Sequence, residues 1–159
     1  MDKKDKYKAA IDEINSGVVE FNHLLAENQR FKEISFDEPA SYSDDIHEMW
    51  GGDSWPSKDR PGVYILCGYH EKNQDIIGLY IGKASNQNIG HRIYTHFHPQ
   101  RKIGRFTKKS SNGEVFIIEA ICAIAINDKQ KSCLASALEE FLIARVGGSF
   151  QLLQTIGVG

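Results

Sequence analysis

Two short tripeptides, Gly62-Val63-Tyr64 and Tyr80-Ile81-Gly82, bracket a polar segment of the chain. Fifteen residues separate Tyr64 from Tyr80, and Lys83 follows the second tripeptide directly. Gly62 to Tyr69 is a run of strand formers, and Ile76 to Gly82 is another. His70 to Asp75 between them reads as a turn, so the two runs predict a β-hairpin. A hairpin must bury one face against something else, and the flanking sequence says what.

Upstream, residues 4 to 31 read as helical. Tyr7, Ile11, Ile14, Val18, Phe21 and Leu25 recur at spacings of four and three and draw one apolar stripe. Gly17 interrupts it and marks a point of kinking or splitting. Residues 37 to 61 carry Pro39, Gly51, Gly52, Pro56 and Pro61. They predict an irregular connector with a short helical turn from Ile46 to Trp50, and with Trp50 and Trp55 packed on the main body. Downstream, Ile89 to Phe97 predicts a short helix. Glu114 to Ile126 is apolar almost throughout and predicts a central buried strand. Ser132 to Val146 predicts a helix stopped by Gly147-Gly148. The expected fold is therefore α+β: a small, mostly antiparallel sheet flanked by helices. Residues 1–60 form an N-terminal helical extension and connector, and 61–159 the main domain.

At 159 residues and 41% hydrophobic content the chain has enough apolar surface for a real core. No apolar run approaches the ~20 residues of a membrane-spanning helix. The N-terminus lacks the apolar stretch of a signal peptide. Cys67, Cys122 and Cys133 are odd in number and spaced like no zinc site, so free thiols and a cytoplasmic location are expected. The net charge is −2, yet no acidic residue stands between Asp75 and Glu114. That window holds Lys83, Arg92, Arg101, Lys102, Arg105, Lys108 and Lys109, with His91, His96 and His98. A basic face suits a polyanion whatever the total charge, and Tyr94, Phe97 and Phe106 interleave with the cations. Arg101, Lys102, Arg105, Lys108 and Lys109 are the expected phosphate contacts. The competing reading is a solvated, lysine-rich loop.

Several residues are suited to phosphodiester chemistry. Tyr64 and Tyr80 lie on adjacent strands, where packing alone accounts for a tyrosine. With an ordinary pKa of ~10, a phenol needs a nearby cation to act as a base near neutrality. Lys83 stands close in sequence to supply one. Arg92 has a planar fork that grips two phosphate oxygens, and His96 is four residues on, on the same helical face. Glu139 and Glu140 are adjacent on the last helix, and neighbours turn ~100° apart, so one of the two faces any site.

The order GVY, YIGK, Arg92, Glu139 resembles the GIY-YIG nuclease family over about residues 61 to 151. The resemblance implies a metal-dependent DNA endonuclease that leaves a 3′-hydroxyl and a 5′-phosphate. In that family the first tyrosine, here Tyr64, is assigned to activating the attacking water, with Lys83, Tyr80 and His96 in support. Arg92 corresponds to the arginine that binds the scissile phosphate. Restriction and phage homing members carry histidine at the His96 position. Glu139 stands three residues before Leu142-Ile143 and corresponds to the ligand of one divalent ion, Mg2+ or Mn2+. The chain departs from the pattern at Gln151, where many members have asparagine. A restriction-like enzyme of this kind would need a homodimer to cut both strands, whereas a repair or recombination nuclease could nick one. The rival expectations are a non-catalytic nucleic-acid-binding module with the same fold, and an interaction protein whose basic segment binds an acidic partner. The N-terminal helix is left three roles: DNA contact, self-association or buttressing.

Overall fold

The computed structural model describes residues 1–46, 55–127, 130 and 132–154, with backbone alone for Arg101 and Lys102. The expected turn at Ile46 to Trp50, and Trp50 itself, therefore lie mostly outside the described residues. Trp55 is buried, as expected. Helix α1 spans Lys3–Asn22. The strands are β1 (Tyr42–Ser43), β2 (Gly62–His70), β3 (Asn73–Ala84), β4 (Phe106–Lys109), β5 (Val115–Ala125) and β6 (Gln151–Leu152). Helices α2 (Ile89–Phe97) and α3 (Cys133–Val146) complete the element order, with 3-10 turns at Glu27–Gln29 and His98–Ile103.

The fold is α+β, with one six-stranded sheet between helices. The strand order is β1-β5-β2-β3-β6, with β4 also paired to β5. All pairings are antiparallel except the short parallel pair β3–β6. The predicted hairpin is β2–β3, longer than the sequence suggested, with pairing that runs from Gly62↔Ala84 to His70↔Asn73. Strand β5 lies beside β2 in the middle of the sheet, which explains its unbroken apolar run.

The alternation of β2 and β3 sorts side chains to two faces. Val63, Ile65, Cys67, Leu79 and Ile81 enter one core with Tyr7, Ile11, Ile14 and Val18 of α1 and Leu138 and Leu142 of α3. Tyr64, Leu66 and Ala84 enter the other, with Ile89, Ile93 and Phe97 of α2 and Phe106 of β4. The N-terminal segment thus shares a core with residues 61–159. Its attachment is also polar: Tyr7 donates to Glu119 at 2.7 Å, and Lys6 reaches the same carboxylate at 2.8 Å.

Two expectations about α1 need correction. The helix ends at Asn22, not near residue 31. The chain then doubles back along it, because Asn22 and Asn15 each use a side-chain amide to bond both backbone groups of a residue in the returning strand. Asn22 pairs with Phe31 and Asn15 with Ile34, all at 2.8–2.9 Å. Gly17 does not split α1, which runs unbroken through it. A Cβ there would come within 2.8 Å of Leu142 Cδ2 and 2.9 Å of Arg145 Cδ, so the glycine lets α3 approach closely.

Candidate active site

The hairpin register places Tyr64 opposite Gly82 and Tyr80 opposite Leu66. Tyr64, Tyr80 and Gly82 therefore share a face. The Tyr64 ring lies across Gly82, where a Cβ would fall 2.5 Å from the phenolic oxygen. The final glycine of the second tripeptide is the space that the last tyrosine of the first one fills.

Helix α2 closes over this face. Asn88 caps it by accepting from the His91 N–H at 2.7 Å, and the turn before β2 fixes its first residues. The Ile89 and Gly90 amides donate to the Arg60 and Lys58 carbonyls at 2.8 and 2.9 Å. Ile89, Ile93 and Phe97 face inward at four-residue spacing. Arg92 and His96, one turn apart, are thereby aimed at the tyrosines. His96 Nε2 lies 2.8 Å from the Tyr64 hydroxyl. The Tyr80 and His96 rings are 5.0 Å apart, edge to face. The Tyr64 and Tyr80 rings lie 6.2 Å apart, and the Arg92 charge acts on both phenols.

Sequence reasoning missed β4, which brings the next member of the cluster. Phe106 stacks on Phe97 at 4.1 Å, and Gln100 bonds both backbone groups of Thr107. With Phe106 facing the core, alternation turns Lys108 the same way. Its Nζ lies 3.1 Å from His96 Nδ1 and 4.2 Å from the Tyr80 ring centroid. Lys108, expected among the phosphate contacts, is half-buried within the tyrosine cluster. The signal for β4 was present in the strand-forming Phe-Thr pair and the Asn112-Gly113 turn that follows, with Gly113 at φ 85°.

Lys83 has the opposite parity and faces α3. It forms an ion pair with Glu139 Oε2 at 3.2 Å. Glu139 is largely enclosed and Glu140 is exposed, so the helix separates the two carboxylates as expected. Lys83 and Arg92 line one open cleft of about 450 Å³ with Ser85, Asn86, Gln87 and Ser136. Among the described residues no three His, Cys, Asp or Glu side chains gather. A single carboxylate suits magnesium, which keeps most of its waters, better than a metal needing several protein donors.

Burial dominates the electrostatics. It lowers the His96 pKa to about 4, with Lys108 and Arg92 adding repulsion, so the ring is a neutral imidazole at pH 7. Burial raises the Tyr64 pKa, assisted by Tyr80 and opposed by Arg92. Tyr80 is raised by burial too, less the effects of the Tyr64 hydrogen bond and Arg92. The Glu139 charge reaches Tyr80 and pushes in the same direction as burial. Burial and Arg92 lower Lys108. The two tyrosines differ in access: Tyr64 is 0% exposed, whereas Tyr80 is partly open.

The remaining expected residues lie apart from this cluster. Arg105 is exposed and paired with Glu71 at 2.8 Å. Lys109 is exposed at the end of β4, and the side chains of Arg101 and Lys102 lie outside the described residues. Gln151 turns away and donates to Glu114 at 2.9 Å. Gln154 instead braces the hairpin: its side-chain amide bonds both the N–H and the carbonyl of Ile81, standing in for a neighbouring strand. Nothing in the local sequence distinguished Gln154 from any polar residue near a chain end. Among the described residues no helix is long and apolar enough to cross a membrane. No model of a known protein family, no curated protein and no solved structure matches this chain.

Proposed function

We propose that the protein is a metal-dependent DNA endonuclease of the GIY-YIG type. The observation that carries this reading is a convergence. Arg92 and Lys83 line one cleft. Arg92 stands one helical turn from His96, which meets Tyr64 beside Tyr80, and Lys83 is paired with Glu139. Hydrolysis of a phosphodiester needs a proton acceptor for water, positive charge on the phosphate and a stabilised leaving oxygen.

In this reading Arg92, exposed at the cleft, binds non-bridging phosphate oxygens through its fork. The tyrosine pair accepts the water proton. The water oxygen bonds to phosphorus as the bond from phosphorus to the 3′ oxygen breaks, and solvent protonates the leaving oxygen. Glu139 would hold Mg2+ or Mn2+ through its carboxylate, and the ion when bound supplies charge to the leaving oxygen. Lys83 holds the Glu139 carboxylate in place.

Supercoiled plasmid incubated with magnesium, with manganese or with chelator tests the reading. Nicked or linear product is expected with metal alone. Glu139→Gln should abolish cutting while Glu140→Gln retains it, and the reverse pattern overturns the assignment. Arg92→Ala should slow cutting by roughly 10²-fold or more with affinity nearly kept, as for loss of a transition-state donor. DNA binding without product in any metal would return the protein to a non-catalytic binding module.

A further inference from the structure

We propose that Lys108 is a positioning residue whose ammonium orders the hydrogen bonds of the cluster in one direction, from Lys108 through His96 to Tyr64. Tyr80, at the open end, is then the tyrosine that takes the water proton. The inference rests on the nuclease reading for its chemistry but not for its geometry.

The order follows from counting donors. An ammonium has three N–H donors and no acceptor. Lys108 therefore donates to His96 Nδ1, 3.1 Å away, and that nitrogen must carry a lone pair. A neutral imidazole bears one N–H, so the proton is on Nε2. Nε2 then donates to the Tyr64 oxygen at 2.8 Å. Tyr64 therefore accepts from His96, and its own O–H proton is turned away from that ring.

This arrangement separates the roles of the two tyrosines. Tyr64 is sealed and can reach water through its neighbours alone, whereas Tyr80 keeps solvent access. A negative charge on Tyr80 lies 4.2 Å, measured to its ring centroid, from the Lys108 ammonium. The groups that face Tyr80 are Tyr64 from β2, Arg92 and His96 from α2, Lys108 from β4 and Glu139 from α3. The Arg92 and Lys108 cations assist its anion, and burial and Glu139 oppose it. In the step itself, Tyr80 first gives its O–H proton to solvent. A proton then leaves water for the phenolate, the water oxygen bonds to phosphorus as the bond from phosphorus to the 3′ oxygen breaks, and solvent protonates the leaving oxygen.

Long-range proton–nitrogen NMR of the His96 ring, assigned with His96→Gln, tests the direction without any DNA. At pH 7.5 the parent should show Nε2 protonated and Nδ1 bare, and the opposite tautomer overturns the proposal. Lys108→Met should erase the preference and Lys108→Arg should keep it. An unchanged ring in Lys108→Met also overturns it. In cutting assays Lys108→Met should lower kcat by roughly 10²-fold, the lower range for a positioned acid–base group, with little change in KM. Lys108→Arg should recover most of that loss. A rise in KM with kcat intact would make Lys108 a phosphate contact instead. A parent that cuts no DNA defeats the nuclease reading, while the ring spectrum still decides the hydrogen-bond order.

Discussion

At the residue scale, Gly82 shows how a missing side chain positions a present one. Its hydrogen leaves room for the Tyr64 ring, and a methyl group would overlap the phenol. Gly82→Ala is expected to cost about 1–3 kcal/mol, the usual range for overpacking a filled core. It should also displace Tyr64 from His96, so cutting should fall more than the melting shift explains. Parallel melting and cleavage measurements check this, and a variant with parental activity would mean the ring tolerates another position. His96 gives a pH prediction. Its folded pKa of about 4 lies below the ordinary value of 6.5, so the folded state binds fewer protons than the unfolded chain between those values. Stability is then complete above pH 6.5 and falls as pH drops toward 4, by an amount on the order of 3 kcal/mol at most. Urea titrations at pH 7, 5.5 and 4.5 should show the fall in the parent and a smaller one in His96→Gln.

At the scale of elements, α1 and α3 meet at Gly17, where the Leu142 and Arg145 side chains of α3 fill the space a side chain would take. The Phe21–Phe141 ring contact at 5.4 Å continues the seam. Glycine within a helix ordinarily costs about 1 kcal/mol relative to alanine, so its presence here marks packing that outweighs propensity. Gly17→Leu should destabilise by about 1–3 kcal/mol, each kcal/mol lowering Tm by roughly 2–4 °C. Val19→Leu, on an exposed face of the same helix, is the control and should melt like the parent. Equal melting of the two variants would mean the seam opens without cost. The buttressing role for α1 has direct support here, because the helix shares its core with the strands that carry Tyr64 and Tyr80.

At the scale of the whole molecule, charge is partitioned along the chain, and the structure divides the basic segment by job. Lys108 is turned inward, Arg105 is tied to Glu71, and Lys109 is exposed. If the segment meets DNA, Lys109→Gln should flatten the slope of log affinity against log salt by about one, as for one lost phosphate contact, and Lys108→Met should leave it unchanged. Equal slopes for parent and Lys109→Gln would make Lys109 an ordinary solvated cation. The sequence alone determined the hairpin, α2, the central strand and α3, because each carries an apolar period that matches one element. It also put Glu139 and Glu140 on different faces of one helix, because neighbours turn ~100° apart. Three things were decided by tertiary structure. The end of α1 depends on Asn15 and Asn22 bonding a strand that returns 9 to 19 residues later. The brace at Ile81 comes from Gln154, which lies 73 residues away in the chain. Lys108 joins His96 because β4 pairs with β5 and Phe106 stacks on Phe97. Local periodicity reports which face a residue shows, but a polar side chain takes its role from the partner that folding sets opposite it, and that partner is distant in sequence.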